Sequence, residues 1–405
     1  MKLYEKEKIY LYSLYKYTLN HIDTPPEERK ACSNKMLAQK NLLVWIDWPG
    51  VGDLFTALDS IYKLYLGARE EFRVSLACSS SQKRILEAIG FSYFDGLIVL
   101  STDIESYADF RKNVASLDVE YWDTIVLMDS MTRMHRRVLL CLKYNKIYEA
   151  NYKENSIKNI IFDRIIRSNN KLNANPLDWI VQNRIRIVEQ FLKDSCMYEN
   201  FIKSNYRISS LSIDEEGLIH KYCIVSPGVA SGHSHEQRAW PINRFSVVVN
   251  YILSHSDLDV VITGDKNDFC KGEQIRNDSL APSRVHNFAG KTSLKEWISF
   301  IQNAKFVFGN DSGYIHVAAL VGTPSFVLAG FWNYGRFLPY KAGYGNLVGP
   351  VVIKTKQPEC AFCAILRRKS QARLMCDDTV KTKGVFKCIY EISPDIAIRE
   401  LGRCL

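Results

Sequence analysis

A chain of 405 residues is too long for one ordinary domain of roughly 100–200 residues and long enough to bury two full cores. At 47% hydrophobic and 24% charged, it has the balance of a globular protein, which sets aside disordered and fibrous classes. The formal charge of +9 suits phosphate-bearing partners or an anionic membrane surface, but basic and acidic residues are mixed along most of the chain. The charge therefore marks no nucleic-acid-binding block and also fits plain solubility.

The amino terminus, MKLYEKEKIYLYSLYKYTLN, scatters charges among its tyrosines and lacks the run of about 7–15 apolar residues that a signal peptide needs. The densest apolar stretch, residues 316–330, is broken by Gly322 and Pro324 and falls short of the roughly 18 uninterrupted residues of a membrane span. A cytoplasmic protein without a transmembrane segment is expected. Eleven cysteines without a secretory signal argue against a disulfide framework, so a cluster of them raises the question of metal. The first 40 or so residues, ending in TPPEER and KACSNK, read as an extension and linker.

From residue 42 short apolar runs alternate with amphipathic ones: LLVWIDW then LFTALDSIYKLY, FRVSLAC then QKRILEAIG, GLIVL, and TIVLM then RRVLLCLKY. Strand followed by helix, repeated, predicts a parallel sheet with helices on its faces. Residues 151–210 are more polar, with one amphipathic helix in PLDWIVQNRIRIVEQFLK that reads as a connection between lobes. The alternation restarts with YCIVSPG and runs through DVVITGD, RVHNFAG, LKEWISFIQNA, KFVFGND, YIHVAALVG and PSFVLAG. In such sheets ligands bind beyond the carboxyl ends of the strands, where this series carries Gly, Asp and Ser. An aromatic loop, a cysteine-bearing segment and a helix in SPDIAIRELGR complete the chain.

The sharpest local signal is GNDSGYIHVAALVGTP at residues 309–324, an apolar strand ending in a polar turn that opens a helix near Gly313. Asp311 or Ser312 can cap that helix, and its unpaired N–H groups and positive dipole end make an anion site that a diphosphate fits. Gly313 would let the ligand approach the backbone, and His316 lies one turn in. An ordinary capped helix with a core histidine is the competing reading.

Together with WPGVGDLF at 48–55, SPGVASGHSHEQRAWP at 226–241 and NFAGKTSLKEW at 287–297, this segment resembles the signature set of glycosyltransferase family nine, the ADP-heptose heptosyltransferases. The resemblance covers roughly residues 42–400. It implies an α/β fold of two Rossmann-like domains facing across a cleft, the GT-B type, and an inverting transfer that needs no catalytic metal. The implied division is an extension over 1–40, an acceptor domain with its connecting helix over 41–210, a nucleotide-sugar domain over 211–350, and a cysteine finger with a carboxyl-terminal helix over 351–405.

Carried over position by position, Asp53 beside Gly52 resembles the catalytic base, since a carboxylate at a helix start stays ionised and can take a proton from an acceptor hydroxyl. Arg238 stands where the family usually has Lys and would stabilise charge on the departing diphosphate. Asp311, Ser312, Gly313 and His316 match the diphosphate contacts, Gly228 and Gly290 match glycines near the nucleotide, and Asp268 is a candidate for the ribose hydroxyls. Leu58 departs from the proline usual about five residues after the aspartate.

Cys360, Cys363, Cys376 and Cys388 lie within PECAFCAILRRKSQARLMCDDTVKTKGVFKC and offer four thiolates to one tetrahedral ion, zinc or iron, or else are buried thiols. Such a finger after GFWNYGRFLPY resembles the bacterial autotransporter heptosyltransferases, a branch that modifies adhesin serines and binds iron through such cysteines. The expected function is heptose transfer from ADP-heptose to a protein hydroxyl of an autotransporter adhesin. The alternatives are an inner-core lipopolysaccharide heptosyltransferase and a non-catalytic nucleotide-binding scaffold. Structural iron or zinc and no catalytic cofactor are expected, with ADP-heptose and an acceptor protein or lipopolysaccharide core as partners. A homo-oligomer and a peripheral place at the inner membrane are compatible with this reading.

Overall fold

The computed structural model describes residues 2–22, 39–46, 50–101, 106–118, 121–128, 133–151, 170–173, 180–202, 205–209, 221–229, 236–331, 334, 337–340, 347–356 and 371–405. The chain divides into two compact units, one of Met1–Asn175 with Val181–Lys203 and the other of Pro176–Ile180 with Ser204–Leu405.

The first unit is built on six parallel strands: β1 (Lys40–Trp45), β2 (Phe72–Ser79), β3 (Gly96–Leu100), β4 (Trp122–Leu127), β5 (Tyr144–Asn151) and β6 (Asn170–Asn173). Their order is β3-β2-β1-β4-β5-β6, so the chain reverses direction across the sheet between β1 and β4. Helices α2 (Val51–Ala68), α3 (Ser80–Ala88), α4 (Tyr107–Leu117) and α5 (Arg133–Leu139) follow the first four strands. The continuous apolar run of β1, with Leu42, Leu43, Val44 and Trp45 all buried, is what a strand covered on both faces requires. Leu58, at the position where proline is usual in the resembled family, is buried within an uninterrupted α2.

Among the described residues, two further helices of this unit lie outside the alternating pattern. Helix α1 (Lys2–Ile22) buries Ile9 and Ser13, and its Tyr12 ring meets Tyr107 and Phe110 edge-on at 5.8 and 6.2 Å. Helix α6 (Ile180–Asp194), read from sequence as a connection, is packed into the first unit: its Phe191 meets Phe72 and Tyr148, each at 5.5 Å between ring centroids.

The second unit repeats the plan with β7 (Tyr222–Ser226), β8 (Asp259–Ile262), β9 (Val285–Asn287), β10 (Val307–Asn310), β11 (Ser325–Leu328) and β12 (Val351–Ile353), in the order β12-β11-β10-β7-β8-β9 and all parallel. Its reversal lies between β7 and β10. Helices α7 (Ile242–His255), α8 (Phe269–Asn277), α9 (Leu294–Asn303) and α10 (Tyr314–Val321) connect these strands. Helix α9 starts where the sequence offers a capping box, Ser293 with Glu296. The end of the chain belongs to the same core: α12 (Lys387–Tyr390) and α13 (Pro394–Leu401) contribute Cys388, Ile389, Ala397 and Leu401 to the cluster around Trp240, Phe245 and Phe308, and α11 (Gln371–Lys383) packs Cys376 and Val380 against it.

Candidate active site

Several of the candidate residues follow the strands that flank the reversal point of each sheet, which is where such folds bind ligands. In the first unit β1 feeds the turn that starts α2, whose N-cap is Gly50. Gly52 and Asp53 thus lie in the first helical turn. The Asp53 carboxylate folds back toward Gly50: a Cβ added there would stand 2.5 Å from Asp53 Oδ2, so a larger residue would make that carboxylate turn away. This places a negative charge at the positive end of α2, where the helix dipole favours the ionised form.

In the second unit the reversal point is framed by Pro227 and Gly228 after β7 and by Asp311, Ser312 and Gly313 after β10. Asp311 or Ser312 was the expected cap of α10. Gly313 occupies the N-cap position instead, with no side chain capping the turn. With no side chain over it, the start of α10 is a candidate anion site. Arg238, in the short 3-10 turn Glu236–Arg238, lies close enough to Asp311 for that carboxylate to oppose the lowering of its pKa by burial. Its Nε is buried and has no hydrogen-bond acceptor, so the guanidinium carries unused donor capacity beside the anion site.

The glycines of this unit have packing reasons. Gly290 has φ of 71° and donates its N–H to Gly264 O at 3.0 Å, and a Cβ there would come within 2.7 Å of Lys266 Cα. A Cβ on Gly228 would lie 2.1 Å from Asp268 Oδ2. Asp268 itself is buried, accepting from Asp265 N at 3.2 Å through Oδ2 and from Lys271 Nζ at 3.2 Å through Oδ1, and desolvation raises its pKa. A loop carboxylate in the sequence is thus a prop beneath the Gly228 and Gly264 backbones. His316 is buried as well, its Nδ1 2.6 Å from the Tyr340 hydroxyl and its ring stacked on Tyr340.

Of the four cysteines, Cys360 and Cys363 lie outside the described residues. Cys388 is buried in the second core and Cys376 packs against the same cluster from α11. Among the described residues no cluster of three metal-ligating side chains occurs, and no helix is long and apolar enough to cross a membrane.

Two site-building residues were not singled out by sequence. Asn310, fully buried at the end of β10, accepts from Trp240 N at 2.9 Å and donates to Pro227 O at 2.6 Å. Arg184 is fully buried under α2. Its signal was present: along α6 the apolar stripe Ile180, Ile187, Phe191 places Arg184 in a core position.

Two parallel six-stranded sheets, each with its candidate ligand loops at the reversal point, define a protein of paired Rossmann-like units, the architecture of nucleotide-sugar transferases of the GT-B class. Residues 203–360 match the model of glycosyltransferase family 9 (heptosyltransferase). Lipooligosaccharide heptosyltransferase 2 of Haemophilus influenzae is 26% identical over 185 residues, which are 44% of this chain and 46% of that protein, so the match spans about half the length of the relative. A family 9 glycosyltransferase structure from Veillonella parvula superposes with a TM-score of 0.66 at 15% identity, covering 92% of this chain and 99% of that one. The iron-containing dodecameric heptosyltransferase TibC of E. coli, in complex with ADP-D-beta-D-heptose, gives 0.53 at 13% identity over 91% and 78%.

Proposed function

We infer that the protein is an inverting heptosyltransferase that uses ADP-heptose. The observation that carries this reading is the second unit's anion site, where the uncapped start of α10 and the unsatisfied Arg238 stand together beside Gly228. That combination fits a diphosphate, and the matched family domain and the ADP-heptose bound to TibC supply the donor. In the reaction the acceptor hydroxyl oxygen forms a bond to the anomeric carbon, and its proton passes to the Asp53 carboxylate. The bond between that carbon and the β-phosphate oxygen breaks, with ADP as the leaving group. Arg238 and the N–H groups opening α10 stabilise the charge that grows on the diphosphate. Asp268, Asn310 and Gly290 hold the loops that carry them.

Two acceptors are supported by different observations. The name of the curated relative supports a lipooligosaccharide core sugar, and the resemblance of the cysteine segment to the autotransporter heptosyltransferases supports a protein hydroxyl. Four thiolates, from Cys360, Cys363, Cys376 and Cys388, would hold one structural iron or zinc that braces the end of the chain. The test is turnover of a panel of sugar nucleotides by the purified protein, followed by transfer from the active donor to a heptose-deficient lipopolysaccharide core and to an adhesin passenger protein. Release of ADP from ADP-heptose, well above that of the other nucleotides from their sugar conjugates, is expected. Binding without turnover of any donor would favour the scaffold reading, and the acceptor that becomes labelled selects between the other two.

A further inference from the structure

An arginine with no exposed surface has lost its hydration and must be held by acceptors placed for it. Arg184 is such a residue, and its bonds converge on the candidate base. One terminal nitrogen donates to Asp53 O at 2.8 Å and to Thr56 Oγ1 at 2.5 Å, while Nε donates to Met128 O at 3.3 Å. The Thr56 hydroxyl in turn donates to Asp53 O at 2.8 Å. Arginine, threonine hydroxyl and aspartate carbonyl form a closed triangle beneath the first turn of α2. Met128 directly follows β4, and Asp53 lies in the first turn of α2, so one guanidinium ties the end of β4 to the start of the helix that follows β1.

We propose that Arg184 is a positioning residue: it locks the peptide of Asp53, fixes the direction in which that carboxylate leaves the helix, and holds a positive charge at the same residue's carbonyl. The inference rests on the reading of Asp53 as the base. Its chemical content is that a fork is needed as well as a charge. A lysine ammonium at the same site is a point donor and cannot serve the turn of α2 and Met128 O at once. The charge also has a distinct consequence, because a buried cation bonded to the carbonyl of the residue that carries the carboxylate favours its ionised form, and removing it should raise the pH at which the base becomes protonated.

The experiment compares the parent with Arg184→Lys, Arg184→Gln and Thr56→Val for ADP release from ADP-heptose as a function of pH, with ADP affinity by calorimetry and melting temperature alongside. Arg184→Lys should lower kcat at least tenfold with KM for ADP-heptose and ADP affinity within about threefold of the parent. Arg184→Gln should in addition move the acidic limb of the pH–rate profile to higher pH. Thr56→Val, which keeps the buried charge and removes one side of the triangle, should lower kcat by about three- to tenfold without moving that limb, and it decides the matter where the arginine variants do not fold. In an Asp53→Ala background, Arg184→Lys should have no further effect on turnover. Unchanged kcat in Thr56→Val together with an unmoved acidic limb in a folded Arg184→Gln would overturn the proposal. Were Asp53→Ala itself to keep parental turnover, the base assignment would fall instead, and the two failures are thereby separated.

Discussion

The side chain of Asn310 holds the backbone of Trp240, accepting its N–H at 2.9 Å, while the same carboxamide donates to Pro227 O at 2.6 Å. One buried amide thereby joins the end of β10 to the loop after β7 and to the turn that carries Arg238. Every branch of the anion site passes through it.

Asn310→Ala is accordingly expected to destabilise the protein by about 2–4 kcal/mol, because it leaves one buried donor and one buried acceptor without partners. Asn310→Asp keeps the bond from Trp240 N but loses the donation to Pro227 O and adds a negative charge next to Asp311. It should fold better than the alanine variant and bind ADP more weakly than the parent. Denaturant unfolding and calorimetry with ADP measure the two effects, and parental ADP affinity in both variants would deny Asn310 any part in shaping the site.

Arg238→Ala should weaken ADP binding at least tenfold and slow turnover, since it removes the unsatisfied cation beside the anion site. Arg238→Lys, which restores the residue type usual in the resembled family, should stay within about threefold of the parent, because a charge is required there rather than a fork. Equal losses in the two variants would mean that Arg238 binds in bidentate fashion. The contrast with Arg184, where lysine is expected to fail, separates a ligand-facing cation from a buried brace.

Gly228 and Asp268 form a steric pair that a double variant can expose. Gly228→Ala drives a methyl against the Asp268 carboxylate, and stability and ADP affinity should both fall. Asp268→Ala removes all three atoms nearest to that methyl, so the double variant should recover part of the loss, a coupling that independent sites would not show. Asp268 also leaves a signature in pH. Burial raises its pKa above the ordinary 3.8, so folding favours its protonated form. The stability this contributes is present below pH 3.8 and is lost as pH climbs through the raised folded value. Asp268→Asn should flatten that segment of the stability profile, and an identical slope in parent and variant would show that the carboxyl is not desolvated.

Where local pattern and tertiary demand coincide, the sequence was enough. The apolar run of β1 and the polar turn before α10 each announced their element. What was not legible depended on partners far along the chain. Arg184 and Asp53 are 131 residues apart, and nothing near either tells of the other. Asp268 looks like any loop carboxylate until Gly228 and Gly264 close over it, and the tyrosines of α1 show no preferred face until Tyr107 and Phe110 supply one. Arg184 alone left a trace, a cation in the middle of an apolar stripe, which reads as surface charge unless the helical phase is followed through.

The cysteine segment offers the last test. Helix α11 carries Cys376 and the short α12 carries Cys388, and Cys388 lies under the loop after β11, where a Cβ on Gly330 would stand 3.1 Å from its Sγ. The backbone around these helices reaches the anion site directly: Phe386 N donates to Gln237 O at 2.8 Å, next to Arg238, and Trp240 Nε1 donates to Ile392 O at 2.9 Å. A structural ion on four thiolates leaves no open position for water or substrate, so its effect should pass through this scaffold alone. Protein prepared without chelators is expected to hold close to one zinc or iron per chain by elemental analysis. Cys360→Ser with Cys363→Ser should abolish that content, lower the melting temperature and weaken ADP binding through the Gln237 and Trp240 contacts, while the pH dependence of any remaining turnover stays that of the parent. Metal content near zero in the parent, or unchanged in the double variant, would return the four cysteines to the role of packed thiols. Loss of metal with parental ADP affinity would show that the end of the chain braces its own fold and not the Arg238 turn.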